Sequence, residues 1–396
     1  GGGGGGGGPA PHAGGGGFAD GTMASTSGPG VAASEFPPLG GQPEAGSGLM
    51  NRAGEYNCFL NVIVQSLWHL RSFQIAFKEE AFAKEQQLRE RGASGDTDAG
   101  LLAELVALFR QMEAAERARH DGADRVVKAI NPGALRKALA KSAAGAAGMS
   151  AIAEAQEHEM ADAGEVLGVV FSATHAALGR GAPQTQQSLE GCWLREISGH
   201  DSCVSRCFGQ DITDSVLCRA CGLNSYTLKY TSFSHTVTAS SLREAQNEAR
   251  CMEERGLASL LKRSSDESRS CDKDQNGCGR MLPLKRSLDR APEVFTLSLI
   301  WERENEDMEV ISATMCAIQQ ELNLAAVYPG ISDHTYRLNS IVCYYGKHYF
   351  CFVLVAPDKW LLCDDTKVSE VGSWENVSVR CWKGHLQPSV LFFQRL

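Results

Sequence analysis

The apolar residues change period between the two halves of the chain, and that change is the tightest constraint on the fold. From Cys58 onward, Phe59, Val62, Ile63 and Leu67 fall at helical spacing, with Trp68 beside them. Leu101, Leu102, Leu105, Val106, Leu108, Phe109 and Met112 repeat that period. Asn131-Pro132 reads as an N-cap followed by Pro at the first helical position. Asp162-Ala-Gly-Glu165 reads as a capping box ahead of Val166, Leu167, Val169, Val170 and Phe171. The second half instead carries β-branched and aromatic runs at Phe295–Trp301, Tyr336–Tyr345, Tyr349–Val355, Trp360–Cys363 and Val390–Gln394, which read as an antiparallel sheet. Residues 302–323 read as a helical insertion and 240–270 as a charged, partly helical one. Residues 138–155, rich in Ala and Gly, read as a loose, frayed insert.

The N-terminus stands apart. Residues 1–48 hold 19 of the 42 glycines, so residues 1–47 are expected to be a disordered tail that buries too little apolar surface to offset its ordering entropy. The other residues suffice for a sizeable core, since 43% of the 396 are hydrophobic. The net charge of −9 and the lack of a Lys/Arg block argue against nucleic acid as a partner. An acidic chain can favour a basic protein substrate. No apolar run reaches the roughly 20 residues that cross a bilayer, so no membrane insertion is expected. No basic stretch precedes an apolar one at the N-terminus, and the chain begins with Gly rather than Met, as a fragment would. The 14 cysteines then read as free thiols, metal ligands and a catalytic thiol rather than a disulfide framework. The expected location is intracellular, in cytoplasm and/or nucleus.

A helical lobe with a thiol at a helix start, facing a sheet that carries histidine, is the logic of a papain-like α+β fold with its site in the cleft. A thiol is a poor nucleophile at its ordinary pKa of about 8.5, and a helix N-terminus or an imidazolium activates it. Cys58 stands in the first turn of its helix, after the polar run Asn51–Asn57. Of ten histidines, His348 opens a strand just after the Gly346 turn, and the next strand ends in Asp364-Asp365. A hairpin would bring Asp364 beside His348, where a carboxylate fixes the imidazole tautomer and stabilises its cation. His385, in Lys-Gly-His-Leu-Gln-Pro, has no such partner. Oxyanion donors are the Cys58 backbone N–H and the side chains of Asn51 and Asn57, with ordinary turn chemistry the other role open to each asparagine. Cys218-Arg-Ala-Cys221 has the spacing of a metal knuckle, and Cys271 and Cys278 would complete a tetrahedral zinc site; free thiols are the other reading. Cys192, His200, Cys203 and Cys207 form a second, less regular Cys/His cluster.

These motifs resemble those of a known family. Gly48-Leu-Met-Asn51 through Cys58-Phe-Leu-Asn61-Val-Ile-Val-Gln65 resembles the cysteine box of ubiquitin-specific proteases, and Gly346-Lys-His348-Tyr through Trp360-Leu-Leu-Cys-Asp364-Asp365 resembles their histidine box. Asp162-Ala-Gly-Glu165-Val-Leu resembles the acidic helix motif between the boxes, and Lys383-Gly-His-Leu-Gln-Pro388 resembles a plant-type branch of carboxyl-terminal hydrolase-related proteins. The resemblance covers about residues 48–396. It implies a fingers–palm–thumb fold, with thumb at about 48–185, fingers at 205–290 and palm at 291–396.

It also implies cleavage after the C-terminal Gly of ubiquitin in ubiquitinated proteins. The implied roles are Cys58 as nucleophile, His348 as base, Asp364 as its orienting residue and Asp365 as an assisting neighbour. Cys218, Cys221, Cys271 and Cys278 would be zinc ligands, and Asp162 and Glu165 would receive the arginines of ubiquitin's tail. For Glu165, helix capping is the competing role. Three departures stand out: a lengthened loop from Asn51 to Cys58, a widened second cysteine pair, and Lys347 inserted between Gly346 and His348. The implied activity is that of a cysteine-type deubiquitinase. The alternatives are a ubiquitin-binding scaffold with weak or lost catalysis, and a thiol hydrolase acting on a ubiquitin-like modifier or ordinary peptides.

Overall fold

In the computed structural model the described residues are 47–120, 129–144, 160–179, 202–251, 253–265, 267–332 and 334–396. The first half supplies helices α1 (Cys58–His69), α2 (Arg71–Glu80), α3 (Glu85–Ala93), α4 (Thr97–His120), α5 (Gly133–Ala144), α6 (Ala163–Leu178) and α7 (Cys203–Phe208). There follow β1 (Gln210–Leu217), β2 (Asn224–Ser232), β3 (His235–Thr238), α8 (Ala239–Glu248), α9 (Leu257–Ser264), β4 (Ser268–Ser270), β5 (Met281–Pro283) and β6 (Lys285–Arg290). The last third holds β7 (Val294–Ile300), α10 (Met308–Ala317), β8 (Glu321–Asn323), α11 (Leu324–Val327), β9 (Thr335–Tyr345), β10 (His348–Ala356), β11 (Lys359–Asp364), β12 (Lys367–Gly372), α12 (Trp374–Lys383) and β13 (Gln387–Arg395).

The large sheet runs β12-β11-β10-β9-β13-β7-β3, with β8 paired onto β9. Its pairings are antiparallel except for β3 beside β7, a parallel edge contributed from the 205–290 stretch. Helix α1 packs against β10, β9 and β11, and α12 packs against β11, β12 and β13. Tyr349, Phe350, Cys351, Phe352 and Val353 of β10 are all buried, so this strand reads as an unbroken apolar run rather than an alternating one. The remaining strands form a separate arm: a three-stranded sheet β2-β1-β6 and the β4–β5 hairpin. Across the β1–β6 pair, Arg286 donates Nε and Nη2 to the two oxygens of buried Asp214 at 2.9 and 3.0 Å, a fork that fixes the register.

Helix α1 is the centre of the core. Every residue from Cys58 to Trp68 is buried, and each large apolar side chain among them contributes about 1.5–3 kcal/mol of burial. Its polar residues therefore need partners. Gln65 donates Nε2 to Ser47 O at 2.7 Å, Ser66 Oγ accepts from Ser340 Oγ at 2.9 Å, and Asn61 reaches Asp365.

Four local expectations are corrected. Ser47, expected in the tail, is tied to the helices: its carbonyl holds Gln65 and its hydroxyl accepts from Arg119, while residues 1–46 lie outside the described ones. Helix α5 starts at Gly133, and the Pro132 carbonyl takes its first bond, from Arg136 N. Asn131 Oδ1 therefore caps Gly133 N from one position earlier than expected. The same helix runs to Ala144, because Leu139 and Ala143 bury against the core, so only 145–155 of the expected loose insert lies outside the described residues. At α6, Asp162 accepts from Glu165 N at 3.0 Å, but the side chain of Glu165 makes no return bond, so only half of the capping box forms.

Candidate active site

The β9–β10 turn brings the base into place. Gly346 and Lys347 have φ of 52° and 68°, the pair of left-handed residues that a two-residue hairpin of the right twist demands. Tyr345 then pairs with His348, and the exposed Lys347 sits at the turn's tip. In the β10–β11 hairpin Cys351 pairs with Cys363, so the chain returns Asp364 toward His348. His348 Nε2 meets Asp364 Oδ1 at 2.8 Å, and the Phe350 ring lies edge-on at 4.5 Å from the imidazole centroid. The imidazole is also near enough to the Cys58 thiol for the two charges to act on one another.

Burial alone would lower the pKa of His348. The Asp364 hydrogen bond and the contact with Cys58 outweigh it and raise the value to about 10. The imidazolium thus stabilises the folded state fully below the ordinary 6.5, and that contribution is lost as pH rises through about 10. In an NMR titration, His348 should stay protonated past pH 9. Asp364→Asn removes the facing charge and should lower the midpoint by about one unit or more. An unchanged midpoint would show that Asp364 does not set the charge state.

Asp365, expected to assist His348, lies 3.9 Å from Nε2, beyond hydrogen-bond reach. It acts elsewhere. Its Oδ2 accepts from Asn51 Nδ2 and its Oδ1 from Asn61 Nδ2, both at 2.7 Å. Burial pushes its carboxyl up, and the two amides pull against that. Asn51 in turn accepts the Asn57 backbone N–H on Oδ1 at 2.8 Å. The extra length of the 51–58 loop is absorbed by a turn, Glu55 N to Arg52 O at 2.9 Å, with Gly54 at φ 85° and Tyr56 at φ 47°. Asn51 therefore returns beside the residue before Cys58 despite the insertion. Asn57 spends its own amide on Glu55 Oε2 at 3.2 Å, and its buried Oδ1 has no partner. Asn61 had no role assigned from sequence. Its signal was a polar residue one turn after Asn57, amid the apolar first two turns of the helix.

Other described histidines are engaged away from Cys58. His69 Nδ1 meets Gln65 O, His235 meets Tyr328 and Ser265, and His334 meets Ser332. His385 contacts Glu306 O. At the acidic motif, Asp162 Oδ1 takes Glu165 N and Oδ2 accepts from Tyr349 Oη at 3.1 Å. Burial, and then the Asp162 charge, raise Glu165.

At the tip of the arm, Cys218 Sγ lies 3.5 Å from Cys278 Sγ and Cys221 Sγ lies 3.6 Å from Cys271 Sγ, and the four sulfurs lie within 4.8 Å of one another. A tetrahedral zinc with bonds of about 2.3 Å needs sulfurs about 3.8 Å apart, so the residues fit the metal. The widened second pair is folded inward. Asp272 caps a short turn at Lys273–Gln275, Asn276 turns left-handed at φ 66°, and Gly277 closes onto Asp272 O. A Cβ on Gly277 would stand 2.6 Å from Cys271 Sγ, so this knuckle requires glycine. Backbone N–H groups of Cys221 and Ala220 help bring the Cys218 thiol down to about 6. In the second cluster, Cys203 and Cys207 are buried in α7, which pushes both thiols up, and Cys192 and His200 lie outside the described residues.

A family model described as ubiquitin carboxyl-terminal hydrolase matches residues 47–393. The chain belongs to the ubiquitin carboxyl-terminal hydrolase family. Hydrolase 54 of this family from Mus musculus is 27% identical over 363 residues, covering 87% of this chain and 20% of that protein. Hydrolase 53 from Homo sapiens is 26% identical over 365 residues, covering 87% of this chain and 30% of that protein. The chain thus spans well under half the length of these relatives. The SAGA DUB module of Ubp8, Sgf11, Sus1 and Sgf73 bound to monoubiquitin is similar at TM-score 0.55 and 15% identity, covering 88% of this chain and 69% of that one. The same module bound to ubiquitin aldehyde gives TM-score 0.56 and 15% identity, with coverage of 92% and 73%. The fold of this chain is therefore the α+β, papain-like fold of ubiquitin-specific proteases. No described helix is long and apolar enough to cross a membrane.

Proposed function

We propose that the chain is an active cysteine deubiquitinase that cleaves the isopeptide or peptide bond after the C-terminal Gly of ubiquitin. The observation that carries this reading is His348, held by Asp364 at 2.8 Å and within electrostatic reach of the Cys58 thiol. The thiolate attacks the carbonyl, and the oxyanion forms beside the Cys58 backbone N–H, which at the first helical position has no intrahelical acceptor. His348 donates its proton to the departing lysine amine, leaving a thioester. It then takes a proton from the water that hydrolyses that thioester. Asn51 supplies the second oxyanion donor in this reading, because it sits against the residue before Cys58. Asp162 and Glu165 receive the arginines of ubiquitin's tail. The division into thumb, fingers and palm at 48–185, 205–290 and 291–396 belongs to the same reading, as does zinc on Cys218, Cys221, Cys271 and Cys278. A thiol site with no disulfide among the described cysteines suits a reducing intracellular compartment, cytoplasm or nucleus. The plant-type branch rests on the Lys383–Pro388 motif alone.

One observation favours the scaffold alternative: the amides of Asn51 and Asn57 are both already engaged, by Asp365 and Glu55. A ubiquitin vinyl-type probe decides between the two. Covalent labelling of wild type and not of Cys58→Ala is the expected result. Binding of ubiquitin without labelling would establish the scaffold, and preferential labelling by a probe built on another modifier would reassign the substrate.

A further inference from the structure

The motif Lys383-Gly-His-Leu-Gln-Pro388 takes no part in the triad, yet it holds one distant segment by four contacts. Residues 302–307 form neither helix nor strand, so their backbone polar groups need partners from elsewhere. Gln387 is 1% exposed, and both ends of its side-chain amide serve this segment. Nε2 donates to Arg303 O at 2.9 Å, and Oε1 accepts from Glu306 N at 3.2 Å. On one side, Trp301 donates its indole N–H to Pro388 O at 2.6 Å; on the other, His385 Nδ1 lies 3.3 Å from Glu306 O. His385 reaches that carbonyl from a left-handed backbone, φ 54°, with its ring 6.4 Å from that of Tyr345.

The residue that holds the segment lies two strands from His348. Gln387 pairs across the sheet with Tyr344, and Tyr345 next to it pairs with His348. The Tyr344 ring lies tilted, 5.1 Å from that of Tyr349, whose hydroxyl meets Asp162. Burial raises the Tyr344 hydroxyl, a backbone hydrogen bond at Lys347 pulls against that, and the charges of Glu304 in the held segment and of Cys58 both raise it further. Glu304 is exposed, whereas Glu302 is tied to Arg243 at 3.5 Å.

We propose that Gln387 is a positioning residue that clamps 301–307 as a preformed wall of the cleft beside Tyr344, against which the substrate's extended tail is ordered. This rests on the deubiquitinase reading for the identity of that tail. A preformed wall spares the ordering cost on binding, so its loss falls on KM rather than on the bond-breaking step.

The test uses the full chain with Gln387→Met, which keeps shape and removes both bonds, and Gln387→Glu, which keeps the acceptor for Glu306 N. Three quantities are read: amide exchange of 301–307, KM and kcat on a fluorogenic ubiquitin C-terminal substrate, and alkylation of Cys58 by iodoacetamide. For Gln387→Met we expect exchange about tenfold faster and KM about fivefold higher, with kcat and alkylation within about twofold. Gln387→Glu should keep Glu306 N protected and give an intermediate KM. Should Gln387→Met fail to fold, Trp301→Phe opens the other end of the clamp and carries the same expectation. Unchanged exchange refutes the clamp. Faster exchange with unchanged KM refutes the wall, and a parallel fall in kcat and alkylation shows damage to the triad instead. Should wild type not turn over ubiquitin, the functional reading fails. Exchange then still decides the clamp, and the ubiquitin Kd, replacing KM, decides the wall.

Discussion

His348→Ala should lower kcat on a ubiquitin substrate by about 10³-fold or more while leaving the circular dichroism spectrum unchanged. The side chain stands at the first position of β10, on the cleft side of a hairpin whose core residues Tyr349 to Val353 remain in place. What disappears is the cation that faces Cys58 and the proton that the leaving amine requires. His385→Ala is the matched control. His385 contacts Glu306 O and the Tyr345 ring, so its loss should raise KM and leave kcat largely intact. Equal losses of kcat in the two variants would remove His348 from its role.

Zinc removal should produce the other large effect. Metal analysis of the pure protein is expected to give one zinc per chain, held by Cys218, Cys221, Cys271 and Cys278. A structural zinc of this type contributes about 10–16 kcal/mol of apparent binding free energy, far more than a β4–β5 pair of three residues each can replace. Chelation should therefore make amides at 218–222 and 271–280 exchange freely. The Cys58 alkylation rate should hold, because α1 is packed in a different core, against β10. Gly277→Ala should weaken the site without altering any ligand, since its Cβ would also stand 2.4 Å from Asp272 O. Pure, active protein free of zinc would overturn the assignment.

Much of this was legible from local pattern. Helical spacing from Cys58 and the β-runs from Phe295 follow the period of their elements, and α1, α4, β7, β9, β10, β11 and β13 form where that period places them. The choice of His348 was equally local, because a tight hairpin returns Asp364 within 16 residues. Boundaries fared worse. At Asn131-Pro132 an asparagine two residues before the helix still reaches the first free N–H, which spacing alone does not distinguish from a true N-cap. At 138–144 small residues looked loose, but tertiary burial of Leu139 and Ala143 decided in favour of helix. The parallel β3 edge, the Gln387 clamp and the turn of Asp365 away from His348 toward Asn51 and Asn61 were not legible. Each depends on residues more than 60 positions apart, and no period records such a meeting.

The tie at Asp365 has a consequence for the order in which the chain becomes competent. Asn51 and Asn61 are joined to Asp365 across 314 and 304 positions, and the base for Cys58 comes from the same late hairpin. On a ribosome the Cys58 thiol emerges first and waits, with no imidazole and an unanchored loop beside it, until the β10–β11 hairpin has been made. In the proposed mechanism the nascent protein thus carries its thiol without a base until that hairpin is in place.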